Sequence, residues 1–341
     1  MQGFALFRQP YANTYTFLTG EVTELPSCAE LSGRQGFVVA PFAPSSSQPV
    51  LLIAPQQLSH EIPAELPDYT VSSVTTLEED QRGDYHIDFL NFHAHLLNGD
   101  FQKLVLSRSI DVAHQQQVSP LDLFHRACDS YPRVFISLAY TPQSGLWLAA
   151  TPEVMLSGSE GTWHTMALAG TMPFAEQVSW GDKNIQEQRY VATYITRQLE
   201  QFTGDFREEG PYTTRAGHLA HLRSDFHFTL SEEARIGDLL QALHPTPAVC
   251  GLPKQEAFRF IQQYEHHRRS YYSGFMGPLS VNGQTSLFVT LRCMQVFSNC
   301  YRLYAGGGLL KDSVEEQEWQ ETETKLDTMR RVLEKKIYVQ Q

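Results

Sequence analysis

Cysteine is scarce in this chain, and the cysteines that are present are scattered. There are five of them, an odd number, and no two form a CxxC pair. This spacing fits neither a disulfide framework nor a zinc ribbon, so reduced thiols in a cytosolic protein are the simplest interpretation. No apolar run approaches the roughly 20 residues of a membrane-spanning helix, and the N-terminal apolar stretch is too short for a signal peptide. We therefore expect a soluble, cytoplasmic protein without a membrane partner.

The chain also has fewer basic residues than acidic residues. Lys and Arg number 26 against 38 Asp and Glu, which gives a formal charge of −12. A net charge of this sign repels phosphate backbones, so the composition argues against nucleic acid as a partner. If the substrate is anionic, the binding site must supply its own cations.

Several common enzyme motifs are missing as well. The chain contains no GxxxxGK[ST] phosphate loop, no HExxH zinc helix and no GxSxG elbow. The run Gly306–Gly308 lacks GxGxxG spacing and is a weak dinucleotide signal. The segment Tyr264–Arg269 (YEHHRR) suggests a metal site, but adjacent histidines point to different faces of a helix. We therefore interpret that segment as a solvated surface.

The composition supplies enough apolar material for a packed core. Hydrophobic residues make up 42% of the 341 residues, and the length alone fits two domains of roughly 150 residues or one large domain. Strand-like and helix-like segments are mixed without regular βαβ alternation, which predicts an α+β fold. The predicted strands are 50–53, 103–110, 134–140, 145–150 and 287–296, and the predicted helical segments are 85–97, 182–201, 254–265 and 314–337.

Two ionisable residues lie in apolar surroundings, where burial of a charge demands a reason. Lys103 begins KLVLSR, in which alternation places Lys103 and Val105 on the face opposite Leu104. It is either a strand-end lysine in solvent or a lysine that faces a site and acts as a base. Glu153 lies between two apolar runs and is either a turn glutamate or a general acid with a raised pKa.

Two further segments contain small or acidic residues in suggestive places. The run Ala167–Thr171 is a tight core turn or a place where backbone amides approach a ligand. Glu318 and Glu321 are three residues apart and lie on one helix face. With Glu187 from a distant helix, they form a plausible oxygen-ligand set for Mg²⁺, although a charged, solvated helix face is the alternative.

Taken together, these segments resemble the chorismate-utilising enzymes of menaquinone, siderophore and tryptophan biosynthesis, from about residue 90 to the C-terminus. The family includes isochorismate synthases, salicylate synthases, anthranilate synthase component I and aminodeoxychorismate synthase component I. The matching segments occur in family order. They are KLVLSR (103–108), TPE (151–153), ALAGT (167–171), KNIQEQ (183–188), HPTPAVCGLP (244–253), YYSGFMG (271–277), TLR (290–292) and YAGGG (304–308) through EWQETETK (318–325).

The resemblance implies one large α+β domain over residues 1–341, with a variable N-terminal part (1–90) and the family's catalytic region (91–338). Two mainly antiparallel sheets would pack on each other, with helices outside and the site between the sheets. This replaces the two-domain expectation from length.

Two positions separate the reactions of the family. Anthranilate synthases usually carry Gln at the position of Lys103, and aminodeoxychorismate synthases carry a nucleophilic Lys at the position of Ala169. Both reactions are therefore disfavoured. The segment 244–253 looks most like the isochorismate synthases.

The resemblance also implies a role for each site residue. Lys103 would be the general base that activates water for attack at C2 of chorismate, and Glu153 the general acid that protonates the departing C4 hydroxyl. Glu187 and Glu321, with Glu318 assisting, would hold Mg²⁺ at the ring carboxylate of the substrate. The substrate-binding positions would be Gly170, Thr171, Tyr272, Arg292 and Gly307.

Several alternatives stay open at this point. A salicylate synthase, which also eliminates pyruvate, shares Lys103 and Glu153, and a non-catalytic chorismate-binding subunit is a third possibility. The product would feed menaquinone or a catecholate siderophore. No amidotransferase subunit is expected, and a monomer is the default. Asn184 stands where some relatives have an acid, which removes a negative charge from the metal site.

Overall fold

The computed structural model describes residues 1–76, 81–114, 118–175, 179–216, 219–231 and 235–334, without the side chains of Pro173 and Ala216. Its strands form one hydrogen-bonded ladder in which every described pairing is antiparallel. The strands are β1 (Gln2–Arg8), β2 (Thr16–Leu25), β3 (Gly36–Ala40), β4 (Val50–Ser59), β5 (Lys103–Ala113), β6 (Phe135–Thr141), β7 (Gly145–Thr151), β8 (Val154–Ser159), β9 (Thr162–Pro173), β10 (Phe206–Ala216), β11 (Leu219–Thr229), β12 (Gly251–Leu252), β13 (Phe275–Leu279), β14 (Thr285–Val289), β15 (Cys293–Val296) and β16 (Cys300–Leu309).

The ladder runs in the order β10-β11-β9-β8-β14-β13-β3-β4-β2-β1-β6-β7-β15-β16-β5-β12. The α-helices of the described residues are α1 (Arg82–Leu97), α2 (Pro120–Ser130), α3 (Asp182–Leu199), α4 (Ile236–Leu243), α5 (Lys254–Tyr264) and α6 (Glu315–Leu333). Among these described helices, none has the length and apolar character to cross a bilayer.

Residues at the helix ends stabilise the terminal turns. The Ser119 side chain accepts a hydrogen bond from the Asp122 amide, and Pro120 occupies the first turn of α2, where it displaces no needed N–H. Helix α6 carries glutamates in its first turn and Arg330 and Arg331 in its last, which complements the helix dipole at both ends.

The sheet folds over onto itself. Phe135 of β6 and Phe288 of β14 stack with ring centroids 4.3 Å apart. Their strands are six positions apart in the ladder, which a flat sheet would separate by about 29 Å at roughly 4.8 Å per strand. Both rings belong to an apolar cluster that also contains Phe37 and Trp147 and fills the space between the two layers. The two halves of one ladder are therefore the two packed layers.

The helices cover the outside of these layers. Helices α3 and α4 pack on the half that contains β8, β9 and β11. Helices α2 and α6 pack on the half that contains β6, β7, β15 and β16. Helices α1 and α5 cover the edge formed by β5 and β12, where Leu104 and Leu106 meet their aromatic side chains.

The predicted α+β class, with mainly antiparallel strands and outer helices, is confirmed. The layers are one continuous ladder rather than separate sheets, because pairings between strands distant in the chain, such as β13 with β3 and β1 with β6, join the hairpins. The predicted strand 287–296 is wrong in one respect. It is two strands, β14 and β15, separated by Thr290–Arg292, and this break places Arg292 at the site described below.

Candidate active site

A cavity of about 50 Å³ lies where the two ends of the folded ladder meet. Leu168–Thr171 of β9 and His221 of β11 line one part of it, and Gly306 and Gly308 of β16 line another. In a flat sheet β9 and β16 would be about 53 Å apart, at roughly 4.8 Å per strand. A larger surface groove of about 460 Å³ lies elsewhere, around Tyr131 and Arg133, but it lacks converging carboxylates. Closure of the ladder therefore creates the smaller cavity.

Lys103 lies at the start of β5, fully buried, with its ammonium 2.9 Å from Oε1 of Glu187. The contact has ion-pair distance without hydrogen-bond geometry, and Nζ has no hydrogen-bond partner among the described residues. Burial acts to raise the pKa of Glu187, but the charges of Lys103 and Lys183 outweigh it and hold that pKa below its ordinary value. Lys103 is thus a site lysine and not a strand-end lysine in solvent.

The glycines of β16 make room for this pair. A Cβ atom on Gly308 would lie 2.1 Å from Oε1 of Glu187 and 2.9 Å from Cε of Lys103. A Cβ atom on Gly307 would lie 3.4 Å from Oε2 of Glu318 and 3.6 Å from Oε1 of Glu321. The Gly-rich strand is therefore the surface against which the three glutamates converge.

Each of these glutamates has a lysine partner. Besides the Lys103–Glu187 contact, Lys183 pairs with Oε1 of Glu318, and Lys325 lies 2.6 Å from Oε1 of Glu321. Lys325 also donates to the carbonyl of Gly306 at 2.7 Å. The local charge of the glutamates is thereby balanced within the protein.

The glutamates nevertheless suit a hard divalent cation. Within the described ranges, no three His, Cys, Asp or Glu side chains are already arranged around one metal position. However, Oε2 of Glu318 is buried and has no hydrogen-bond partner among the described residues, although burial of such an atom is costly. Carboxylate oxygens are the ligands that Mg²⁺ prefers, so the residues present fit this ion.

Glu153 lies in the short break between β7 and β8, with only 2% of its surface exposed. Its backbone carbonyl accepts from the amide of Val289, which fixes the break against β14. Burial raises the pKa of Glu153 to about 8, although the charges of Lys103 and Arg292 act in the opposite direction. The side chain lines the cavity as a protonated acid at neutral pH, and not as a turn glutamate in solvent.

Arg292 and Tyr272 also line the cavity and are almost fully buried. Burial raises the pKa of Tyr272 to about 12, so its hydroxyl keeps its proton. The ring of Tyr272 stacks on that of Tyr304, with centroids 5.4 Å apart. Both Arg292 and Tyr272 therefore offer buried hydrogen-bond donors to a ligand.

Gly170 and Thr171 belong to β9, so this run is part of a strand and not a tight core turn. Gly170 has φ +68°, and a Cβ atom there would lie 3.2 Å from Cβ of Asn184, so glycine permits both the backbone angle and the approach of α3. His221 lies opposite at a bulge in β11, and such irregularities redirect side chains next to active sites. Its Nδ1 lies 2.9 Å from the carbonyl of Gly170 and must donate to it.

The proton on Nδ1 leaves Nε2 of His221 as an acceptor, and this atom is buried without a hydrogen-bond partner among the described residues. Burial and the charge of Arg292 lower the pKa of His221 to about 3, so the ring is neutral. The cavity thus contains an uncharged acceptor that the sequence did not reveal.

The structure brings together all ten residues singled out from the sequence, but three more belong with them. Lys183 and Lys325 were missed although a helical signal was available, since each lies four residues from a glutamate of the set and shares its face. His221 had no such signal, because its direction depends on the bulge and on the pairing of β11 with β9.

The expectation that Tyr264–Arg269 is a solvated surface is wrong for half of the segment. The Glu265 side chain is 2% exposed and Arg269 is 4% exposed, and they form a salt bridge behind the cavity. The segment follows the end of α5, so the helical spacing used in the sequence argument does not apply to it.

Comparison with known proteins shows which family this chain resembles. A family model described as chorismate binding enzyme matches residues 49–334. A vibriobactin-specific isochorismate synthase of Vibrio cholerae is 24% identical, over 86% of this chain and 78% of that relative. The isochorismate synthase MenF of Escherichia coli is 29% identical over 70% of this chain, but the match spans only 57% of MenF.

A solved protein structure has a similar fold. The structure of MenF, the menaquinone-specific isochorismate synthase from Escherichia coli, is similar with a TM-score of 0.80 at 22% identity. The similarity covers 97% of this chain and 89% of that one. At this identity the likeness shows the fold alone.

Proposed function

Because the chain belongs to the chorismate-binding enzyme family, we propose that it is a Mg²⁺-dependent isochorismate synthase. The observation that carries the proposal is a cavity lined by Glu153, Glu187 and Glu321. Lys103 lies 2.9 Å from Glu187, and Glu318 lies beside Glu321 at the glycines of β16. A protein that merely binds chorismate needs neither a buried lysine nor a protonated carboxyl group there. A base, an acid and an oxygen-ligand set are what the hydroxyl shift requires.

The choice within the family rests on two positions. Lys103 stands where anthranilate synthases usually have Gln, and Ala169, which lines the cavity, stands where aminodeoxychorismate synthases have their nucleophile. An alanine methyl group has no lone pair to attack the ring. Water is therefore the nucleophile that these residues favour, and the relatives reported above bear the name isochorismate synthase.

In the proposed reaction Lys103 acts as the neutral amine and takes a proton from water as the oxygen attacks C2 of the ring. Glu153 donates a proton to the hydroxyl group that leaves C4, and the double bonds shift between the two positions. The raised pKa of Glu153, about 8, supports the acid role, because a carboxyl group with an ordinary pKa would hold no proton at neutral pH.

The substrate is a dianion, and the cavity supplies cations for it. Arg292 presents a planar fork of donors, which suits the pyruvyl carboxylate. Tyr272 and the backbone of Gly170, Thr171 and Gly307 would hold the remaining polar groups. A cavity of about 50 Å³ is well below the several hundred Å³ of typical ligand pockets, so its walls must separate to admit chorismate.

Glu187 and Glu321 would hold Mg²⁺, with Glu318 assisting through its unpartnered Oε2. When bound, the ion neutralises the ring carboxylate of the substrate and the glutamates, including the one that faces Lys103. Lys183 keeps Glu318 oriented, as the hydrogen-bond partners of metal ligands commonly do. Asn184 packs against Gly170 and adds no charge to the set.

The proposal also covers the pathway, the cellular location and the partners of the enzyme. The product would feed menaquinone or a catecholate siderophore, and the enzyme would act in the cytoplasm as a monomer without an amidotransferase subunit or nucleic acid. Residues 1–341 would form one catalytic domain, of which 1–90 is the variable part.

The first experiment is a product analysis of the purified protein with chorismate, in Mg²⁺ or in EDTA, followed by chromatography. Isochorismate that appears only with Mg²⁺ supports the proposal. Salicylate and pyruvate would instead identify a salicylate synthase. If no product forms, even with ammonium added, the protein is a chorismate-binding subunit, and a ligand-induced rise in melting temperature would then be its signature.

A pair of lysine variants tests the base in the same assay. Lys103→Met should lower kcat by about 10²- to 10⁴-fold, the usual contribution of a general base. Lys311→Met, at an exposed lysine near the start of α6, removes the same charge and should leave kcat unchanged. Near-normal turnover by a folded Lys103→Met protein would exclude Lys103 as the base.

A further inference from the structure

The outer edge of β5 is completed by side chains where its neighbouring strand ends. β12 pairs with β5 only at Lys103 and Leu104. The next amide along this edge, that of Val105, donates to the carbonyl of Cys250 at 2.7 Å. Beyond it, the carbonyl of Val105 accepts from Arg269 at 2.7 Å, and the amide of Ser107 donates to Glu265 at 2.8 Å. The ion pair between Arg269 and Glu265 therefore lies where a further strand would pair with β5.

This ion pair is rigid and buried. Nε and Nη2 of Arg269 each donate to a different oxygen of Glu265 at 2.7 Å, which is a bidentate geometry. The hydroxyl of Ser107 donates to Glu265 as well, at 2.9 Å, and His267 lies 2.8 Å from that hydroxyl. The guanidinium also stacks on the ring of Phe42, 4.4 Å from its centroid. Every polar group of the pair has a partner, so its position is strongly determined.

The same guanidinium connects two walls of the cavity. Nη1 of Arg269 donates to the carbonyl of Val249 at 2.6 Å, while Nη2 donates to that of Val105. Both valines line the cavity. Lys103 lies two residues before Val105 on the same face of β5, so its direction depends on where Val105 is held.

We infer that Arg269, held by Glu265, is a positioning residue that sets the spacing of the Val105 and Val249 walls and so aims Lys103 into the cavity. The inference rests on the proposed function for the role of Lys103. Arg269 acts through backbone carbonyls and does not contact the substrate. A lysine could keep the charge, but one ammonium cannot hold two carbonyls and both oxygens of Glu265 together.

The test is Arg269→Lys, with Glu265→Gln as a second variant should Arg269→Lys fail to fold. We expect kcat to fall by about 10- to 100-fold with little change in KM, since a shift of about 1 Å in a catalytic group can cost that much. We also expect faster hydrogen exchange in peptides that cover 103–107 and 248–253, with melting temperatures that show folded protein. This second readout does not depend on turnover.

A matched control lies at the other end of β5, where the neighbouring strand β16 supplies the arginine. Arg302 forms a bidentate salt bridge with Asp111, at 2.7 and 2.8 Å, near the far end of β5. Asp111 is eight residues from Lys103, or about 26 Å along a strand. Arg302→Lys should leave kcat and the exchange of 103–107 unchanged. If both arginine variants lowered kcat equally, the Arg269 pair would merely stabilise β5, and the inference would fail.

These experiments distinguish failure of the positioning role from failure of the proposed function. Unchanged exchange and unchanged kcat in a folded Arg269→Lys protein would overturn the positioning role. A wild-type protein that forms no isochorismate would overturn the proposed function, and hydrogen exchange alone would then decide whether Arg269 fixes the two walls.

Discussion

At the scale of single residues, burial changes what the charged side chains of the cavity can do. The carboxyl group of Glu153 has a pKa of about 8 because it is removed from water, and His221 is neutral for the same reason. Glu187 and Glu318 each face a lysine at close range. Chemically similar carboxyl groups thus take different roles through their neighbours.

Glu153 should impose a pH dependence on activity. As a general acid it works only while protonated, so turnover should fall as pH rises through about 8. Glu153→Gln keeps the shape but cannot give up a proton to the leaving hydroxyl, and its kcat should be about 10²- to 10⁴-fold lower. Steady-state kinetics across this pH range check both expectations. An unchanged profile in the variant would assign the falling limb to another group.

The same shift should be visible in stability. The folded protein keeps the proton of Glu153 between about pH 4.5 and about pH 8, whereas the unfolded chain releases it near 4.5. The folded state binds more protons in this window, so the contribution of Glu153 to the free energy of unfolding falls as pH rises. Glu153→Gln should therefore gain stability relative to the wild type as pH rises from about 4.5 to about 8 in urea titrations. Parallel curves for the two proteins would contradict the assignment.

At the scale of elements, the site depends on two helix faces that meet a strand segment made of glycines. Glu318, Glu321 and Lys325 share one face of α6, and Lys183 and Glu187 share one face of α3. Both faces meet β16 where it consists of three glycines. A larger residue in that strand would occupy the space that the glutamates use.

Gly308→Ala should separate function from folding. Its Cβ would lie 2.1 Å from Oε1 of Glu187, which is the mobile end of a side chain, so the fold can adapt while Glu187 and Lys103 are displaced. We expect kcat to fall by about 10²-fold or more, and Mg²⁺ to bind more weakly by calorimetry. Gly204→Ala, where a Cβ meets nothing within 4 Å, is the control and should change stability by less than about 0.5 kcal/mol. A fully active Gly308→Ala protein would show that Glu187 has another position to occupy.

At the scale of the whole molecule, closure of the ladder creates the cavity. Phe135 and Phe288 stack between the layers, from strands that are distant in the ladder. Phe135→Ala should lower the free energy of unfolding by about 3–5 kcal/mol in urea titrations, since it leaves a void between the layers. Ile87→Ala, on the exposed face of α1, should cost far less. Similar losses from both variants would mean that the layers are not held by this stack.

The sequence by itself determined the local units of this protein. The predicted helices 182–201 and 254–265 appear as Asp182–Leu199 and Lys254–Tyr264, because helical periodicity and end signals are properties of neighbouring residues. Alternation in β5 placed Lys103 and Val105 opposite Leu104, and Leu104 packs with Leu106 in the apolar cluster under α1 and α5. The part of the predicted last helix beyond residue 334 lies outside the described residues.

Only the tertiary structure decided which of these units meet. Glu265 and Arg269 read as solvent-exposed charges, yet they are buried because β5 lacks a neighbour beyond Leu104 and the pair completes its edge. His221 faces the cavity because of a bulge, and Arg292 does so because a predicted continuous strand breaks. Such pairings join residues far apart in the chain, and local propensity carries no information about them. The cavity itself exists because one sheet closes on its own distant strands, which no window of sequence contains.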